Sequence, residues 1–296
     1  MRQIVKETFG IDHPLVTVRD HAAVLENYKK LGFNLSPISY HPWGTVTSLV
    51  MFAKNFIELI SVHDSSKFHA NGAEAFCFGE NLNNFLQKEE GVALLALYSN
   101  DADSDHQRLL DKGLQSQGRV DFRRAIKTPQ GMDEAVVSLG LFIDPNHPEL
   151  SNFICQQHKP ELIWVPEWQV HPNQANGITR IIYIGDLSIL SARWEALYGD
   201  KVQHVNGEVR VDTGAGQLIG MTEQNFIHKY PDVDLPIWHG DSIHAVLIQV
   251  NTTSLDAVKN IVADSNIKRA ISDQSVLISP EFAGNVILEF VELTNV

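Results

Sequence analysis

Ile11-Asp12-His13-Pro14-Leu15-Val16-Thr17-Val18 reads as a short strand, and the segments after it decide the architecture. Residues 20–31 carry helix signals. Asp20 is placed to cap the first turn, and Ala23, Leu25 and Tyr28 supply the less polar positions. Gly32 stops the helix where a left-handed backbone costs a glycine little. Three β-like runs follow, at 34–38, 45–53 and 55–62. The order is strand, helix, then three strands.

That order returns three times. Residues 92–98 form a strand, 103–112 a helix before Gly113, and strands lie near 119–126, 134–143 and 151–156. A strand at 178–184 precedes a helix at 187–198 that ends at Gly199, with strands near 202–205, 207–212 and 216–221. The last unit has a strand at 243–250, a helix at 254–263, and strands near 267–271, 275–279 and 286–291. The reading places βαβββ modules at 1–66, 74–158 (with an extra helix in front), 174–223 and 240–296. Connectors fall at 64–73, at 158–177 with Pro160, Pro166 and Pro172, and at 222–241 with Tyr230-Pro231 and Leu235-Pro236. The last of these could cover a cleft mouth.

No module is long enough for a secure core alone. Its helix covers one face of its own sheet and leaves the other needing a partner. The expected class is therefore α+β, with modules paired into two half-open barrels whose concave sides can hold a ligand.

The bulk numbers narrow the function. In 296 residues, 44% are apolar and 20% charged, as in an ordinary globular protein. The formal net charge of -13 argues against a nucleic-acid or anionic-membrane surface, and the basic pairs Arg123-Arg124 and Lys268-Arg269 are too small to reverse it. The two cysteines, Cys77 and Cys155, fit a reducing compartment. The opening residues lack a sustained apolar core, and no apolar run approaches the roughly 20 residues that span a bilayer. The expectation is a cytoplasmic protein, monomer or homodimer, acting on a small molecule. Walker, dinucleotide, Cys-x-x-Cys and Gly-x-Ser-x-Gly motifs are absent.

The first module resembles the glyoxalase-like domain of the vicinal-oxygen-chelate superfamily. The resemblance rests on Asp12-His13, Asp20, Leu31-Gly32-Phe33, His41-Pro42-Trp43-Gly44-Thr45 and Ile57-Glu58-Leu59-Ile60, in that order. Arg123-Arg124 with Pro129-Gln130-Gly131, and the run from His171 to Ile178, extend the likeness through the middle of the chain. Where the family's Gly-Thr run often continues with a small residue and Asn, this chain reads Gly44-Thr45-Val46-Thr47.

The resemblance implies metal ligands on the first and fourth strands of a module, hence His13 and Glu58. The same template lays His244 over His13 and Glu289 over Glu58, whereas modules two and three offer Leu94, Cys155, Thr179 and Gly220. If module one packs on four and two on three, as in single-chain glyoxalases of four units, two imidazoles and two carboxylates converge. Such a set suits zinc, nickel, cobalt, manganese or ferrous iron; with one Glu turned away it becomes the facial triad of non-haem iron enzymes. The ion would hold vicinal substrate oxygens, with Glu58 or Glu289 as general base. His41, Thr47 and Arg124 are the expected substrate contacts. The implied activity is that of a metal-dependent lyase, isomerase or ring-cleaving dioxygenase. The alternative is a metal-free protein that sequesters a small molecule. Each residue also has a plainer role: His13 and His244 as half-buried strand histidines, Glu58 on a solvated strand face, Arg124 in a surface ion pair. Cys155 reads as structural, and the connector histidines, His171 among them, as solvated.

Overall fold

The computed structural model describes residues 7–68, 76–128, 131–239, 243–263 and 265–293, with the side chains of 124–128 excepted. The βαβββ order occurs four times, as expected. Module one is β1 (Ile11–Thr17), α1 (His21–Lys30), β2 (Ser39–Tyr40), β3 (Thr45–Met51) and β4 (Phe56–Val62). Asp20 caps α1 as its sequence suggests, accepting from the Ala23 amide at 2.9 Å. An additional helix, α2 (Phe78–Lys88), leads into module two: β5 (Gly91–Tyr98), α3 (Ala102–Asp111), β6 (Arg119–Thr128), β7 (Gly131–Phe142) and β8 (Asn152–Gln157). Module three is β9 (Ala175–Ile184), α4 (Leu187–Tyr198), β10 (Gln203–Val205), β11 (Glu208–Asp212) and β12 (Gln217–Met221). After α5 (Glu223–Lys229), module four is β13 (His244–Thr252), α6 (Leu255–Ala263), β14 (Arg269–Ile271), β15 (Ser275–Ile278) and β16 (Ile287–Val291).

The strands form two eight-stranded sheets, ordered β2-β3-β4-β1-β5-β8-β7-β6 and β10-β11-β12-β9-β13-β16-β15-β14. Within each module the first strand lies parallel to the fourth, as in Leu15↔Glu58 and Gln249↔Glu289. Between modules the first strands pair antiparallel, β1 with β5 and β9 with β13. Module one therefore joins module two, and module three joins module four. This overturns the expected pairing of one with four and two with three. The reason lies in the free edge of β1: its unpaired backbone groups demand a neighbour, and the module next in sequence brings β5 to it by the shortest route.

Alternation along the strands sends one set of side chains to each face. The helix-bearing outer faces of the two sheets share a single core, in which Tyr28, Leu109, Trp194 and Val258 from α1, α3, α4 and α6 meet Val16, Leu59, Ile181 and Leu288. The opposite face of the first sheet packs under α2 and Trp164. That of the second packs under α5 and the segment after it, through Phe226, Tyr230 and Trp238. The two half-barrels thus stand back to back, each with its own hollow.

Buried hydrogen bonds tie the halves together. Tyr28 donates to the Ala283 carbonyl at 3.2 Å and Tyr198 to that of Phe9 at 2.9 Å. Asn55, in the turn between β3 and β4, donates to the carbonyls of Ile178 and Ala215 and accepts from the Ile178 amide, at 3.0, 3.1 and 2.8 Å. His171, read from sequence as solvated, is buried and accepts from the Asn34 amide at 3.0 Å, its other ring nitrogen lying 2.8 Å from the Met51 carbonyl. Asn55→Ala strands three buried backbone groups at once, so it should lower unfolding stability by at least about 2 kcal/mol. Urea titration checks this; a wild-type midpoint would mean that the halves are not held together there.

Candidate functional site

The hollow of the first half-barrel is lined mainly by apolar side chains, among them Leu15, Trp43, Phe56, Phe122, Val137 and Phe153. Its cavity is small, about 90 Å³, and open at the mouth. Its polar groups cluster where β1, β3 and β4 run side by side. His13 projects from β1, Thr47 from β3 and Glu58 from β4, and all three are buried.

Local structure explains how they meet. The β1–β5 register slips between Ile11 and His13, so Asp12 is an extra residue on β1. Such a bulge re-aims side chains, and here the Asp12 carboxylate reaches His13 Nδ1 at 2.7 Å while accepting from Gln157 Nε2 at 3.3 Å. Gln157 is itself held by the Trp164 indole N–H at 2.5 Å. With Nδ1 engaged, His13 presents Nε2 to Glu58 Oε2 at 3.4 Å. The ring lies flat on Phe56, centroids 4.2 Å apart.

The His41-to-Thr45 motif makes a tight turn, with the Gly44 amide donating to the His41 carbonyl. Gly44 has φ +80°, and a Cβ there would sit 2.0 Å from the Asp64 carbonyl oxygen, so only glycine fits. The turn delivers His41, whose Nδ1 is 2.9 Å from the Thr45 hydroxyl and whose Nε2 is 4.0 Å from Glu58 Oε1. His41 stacks on Trp43, which stacks in turn on Phe78 and meets Phe122 edge-on. Among the described residues the buried Trp43 indole N–H has no acceptor.

Electrostatics make His13 and Glu58 an ion pair. Burial pushes the imidazolium down, but Asp12 and Glu58 together outweigh it and hold the His13 pKa above its ordinary 6.5. Burial likewise pushes Glu58 up, and hydrogen bonding and charge from His13, with help from His41 and Thr47, bring it below 4.5.

The structure does not bring the four expected metal ligands together. His13 and Glu58 meet in the first half-barrel, whereas Glu289 faces the hollow of the second. His244 does not line the open cleft beside Glu289 but lies against Trp238, ring centroids 5.1 Å apart. Its Nδ1 is 3.4 Å from Glu89 Oε1 at the end of α2, and burial holds its pKa down to about 4. Register gives the reason. In module one His13 stands two residues before Leu15, the partner of Glu58; in module four the residue two before Gln249, the partner of Glu289, is Leu247. His244 is three positions further back.

Thr47 and His41 line the first hollow, as their expected role requires. Arg124 stands on β6 opposite Ala135, and its side chain lies outside the described ones. Cys155, read as structural, also lines the hollow. Asp12 and Gln157 were missed. Asp12 had a signal in its position beside His13 at a strand start; Gln157 had none.

The donors gathered at this end of the cleft are His13, His41 and Glu58. Against His13 and Glu58, module two offers Ala96, the register partner of His13, and Cys155 on β8. Among the described residues no group of three or more His, Cys, Asp or Glu side chains is arranged to hold an ion.

The sequence profile of a family described as a glyoxalase-like domain matches residues 11–198. No curated protein matches the chain. Among solved structures, a hypothetical protein from Staphylococcus aureus is 13% identical with a TM-score of 0.65, covering 96% of this chain and 99% of that one. A mutant of 4-hydroxymandelate synthase from Streptomyces coelicolor is 10% identical with a TM-score of 0.53, over 98% of this chain and 94% of its own. A fusion of a xylose isomerase-like TIM barrel with 4-hydroxyphenylpyruvate dioxygenase is 13% identical with a TM-score of 0.55, over 97% and 49%. At these identities the likeness is one of fold. No helix among the described residues is long and apolar enough to cross a membrane.

The ion pair carries a pH signature. Glu58, lowered in the fold, contributes stability above 4.5 that is lost as pH falls through its folded pKa. His13, raised in the fold, contributes below 6.5 and loses that contribution as pH rises through its folded pKa. Glu58→Gln should therefore cost on the order of 3 kcal/mol near pH ~5.5 and progressively less on either side. Denaturant titrations across pH check this, and a cost independent of pH would dissolve the pair.

Proposed function

The chain belongs to the glyoxalase-like domain family, and on that premise we propose that its first half-barrel binds a small, flat, largely apolar molecule by one polar end and moves a proton on it. The observation that carries this reading is the buried His13–Glu58 couple at one end of an aromatic-walled cleft, 3.4 Å apart and backed by Asp12. An imidazolium and a carboxylate side by side supply a donor and an acceptor at one point. A ligand carbonyl or phenolic oxygen would accept from His13 Nε2–H. Glu58 would take a proton from the neighbouring carbon and return it. Such transfer is the elementary step of an isomerase or lyase acting beside a carbonyl. Asp12 keeps Nδ1 engaged so that Nε2 faces the cleft, which makes it a positioning residue. No step is routed through a metal ion.

Sequestration without turnover is the second reading, favoured by the preponderance of apolar wall over polar groups. One experiment separates the two. Phenols and aryl ketones with exchangeable α-hydrogens are screened by thermal shift, and the ketone hits are incubated in heavy water while the α-proton signal is followed by NMR. Wild-type protein should accelerate its loss, and Glu58→Gln should slow that loss by about a hundredfold or more with a much smaller change in affinity. Binding with no acceleration would leave sequestration. A stoichiometric divalent ion in the purified protein, lost in His13→Gln, would overturn the metal-free reading.

A further inference from the structure

We propose that the second half-barrel is a separate binding site, for a small carboxylate that also carries a hydroxyl or amino group. Its hollow differs from the first at the level of register. Cross-strand pairs run Gln217↔Arg180, Arg180↔Gln249 and Gln249↔Glu289, a polar row across β12, β9, β13 and β16. At the same level of the first sheet Glu58 is flanked by Leu15 and Leu49, and Leu15 by Leu94. Four adjacent strands would not all carry polar side chains at one level of a concave face if that level served only packing.

The row is internally organised. Arg180 Nε donates to Gln217 Oε1 at 3.3 Å, Thr179 donates to Gln249 Oε1 at 2.8 Å, and Gln249 Nε2 donates to Glu289 Oε2 at 2.7 Å. Tyr230, following α5, closes over the row, its hydroxyl 3.5 Å from the same Glu289 oxygen. Among the described residues both bonds fall on Oε2 and leave Oε1 for a ligand. Arg180's terminal nitrogens make no hydrogen bond among the described residues, and Lys229, along the Tyr230 ring, is paired with Glu208 at 3.4 Å. Burial raises the Glu289 pKa, and Arg180 and Lys229 are near enough to oppose that rise.

The cleft these groups line is open where the rest of the hollow is filled by Phe226, Tyr230 and Trp238. The chemistry that satisfies all of it has two ends. A carboxylate lies against the Arg180 guanidinium. A hydroxyl or ammonium on the adjacent carbon donates to Glu289 Oε1. Neither end alone matches the row: a bare carboxylate leaves Glu289 Oε1 without a donor and beside a like charge, and a bare alcohol leaves the Arg180 charge without a counter-ion.

Calorimetric titration with L-lactate, propionate and 1,2-propanediol tests this. Lactate should bind at least about tenfold tighter than either partial analogue. Arg180→Met and Glu289→Gln should each weaken lactate by about tenfold or more, while Glu58→Gln, in the other hollow, leaves it unchanged. Circular dichroism monitors folding, and Arg180→Met, at a half-exposed position, keeps the test decisive should Glu289→Gln not fold. Propionate binding as well as lactate, no binding of lactate at all, or loss of lactate binding in Glu58→Gln would each overturn the proposal.

Discussion

Strand β1 has β4 parallel on one side and β5 antiparallel on the other, and most of the chemistry follows from that second contact. Because β5 comes from module two, the wall opposite His13 and Glu58 is built from β6, β7 and β8, with Phe122, Val137, Leu139 and Phe153 facing in. Had module four supplied the partner, the wall would have been the polar row around Glu289. One choice of edge partner therefore sets whether the couple sits in an apolar or a polar cleft. An ion pair in an apolar cleft interacts strongly with whatever polar group reaches it, since little water competes.

How much of this could be read beforehand depends on the range of the interaction. The modules were legible because their signals are local: Asp20 before a helix, Gly32, Gly113 and Gly199 after one, and alternation along each strand. His13 and Glu58 were legible as neighbours because they lie on the first and fourth strands of one module, and the closure of a single module is nearly local. The partner of β1 was not legible. All four modules present the same kind of free edge, and no residue in β1 distinguishes β5 from β13. Asp12 shows a subtler limit, since strict alternation turns it away from His13 and only the bulge against β5 brings it back. The misplacement of His244 has the same origin. Laying one strand over another by its leading histidine fixes the match three residues from where the Gln249–Glu289 register puts it. A period-two pattern does not reveal a slip of that kind when the flanking residues are all apolar.

The two hollows also answer the cost of a buried carboxylate differently. Glu58 is met by an imidazolium and stays ionised, its pKa held low. Glu289 has only the neutral donors Gln249 and Tyr230 in hydrogen-bond contact; Gln249, the more distant charges of Arg180 and Lys229, and last Tyr230 oppose its burial, and burial prevails. A charge can be kept in a low-dielectric site only with a counter-charge in contact; neutral donors lower the cost but do not reverse it. The same residue type at the same register level is thereby given opposite tendencies.

That contrast constrains what each half can do. In the proposed reaction a couple of imidazolium and carboxylate suits a ligand that brings no negative charge, because His13 already stands between the Asp12 and Glu58 carboxylates. The Glu289 row contains one cation, Arg180, whose terminal nitrogens make no hydrogen bond among the described residues, while Lys229 beside it is paired with Glu208, so the ligand proposed for the row would be held by Arg180. The filling of the second hollow by Phe226, Tyr230 and Trp238 reinforces the distinction. At the level where the first half carries His13 on Phe56, the second carries Leu247 beside Ile287, sealed under apolar side chains. At that level the residues for the proposed proton transfer are present in the first half and not in the second, whose polar row lies at the open end of its cleft.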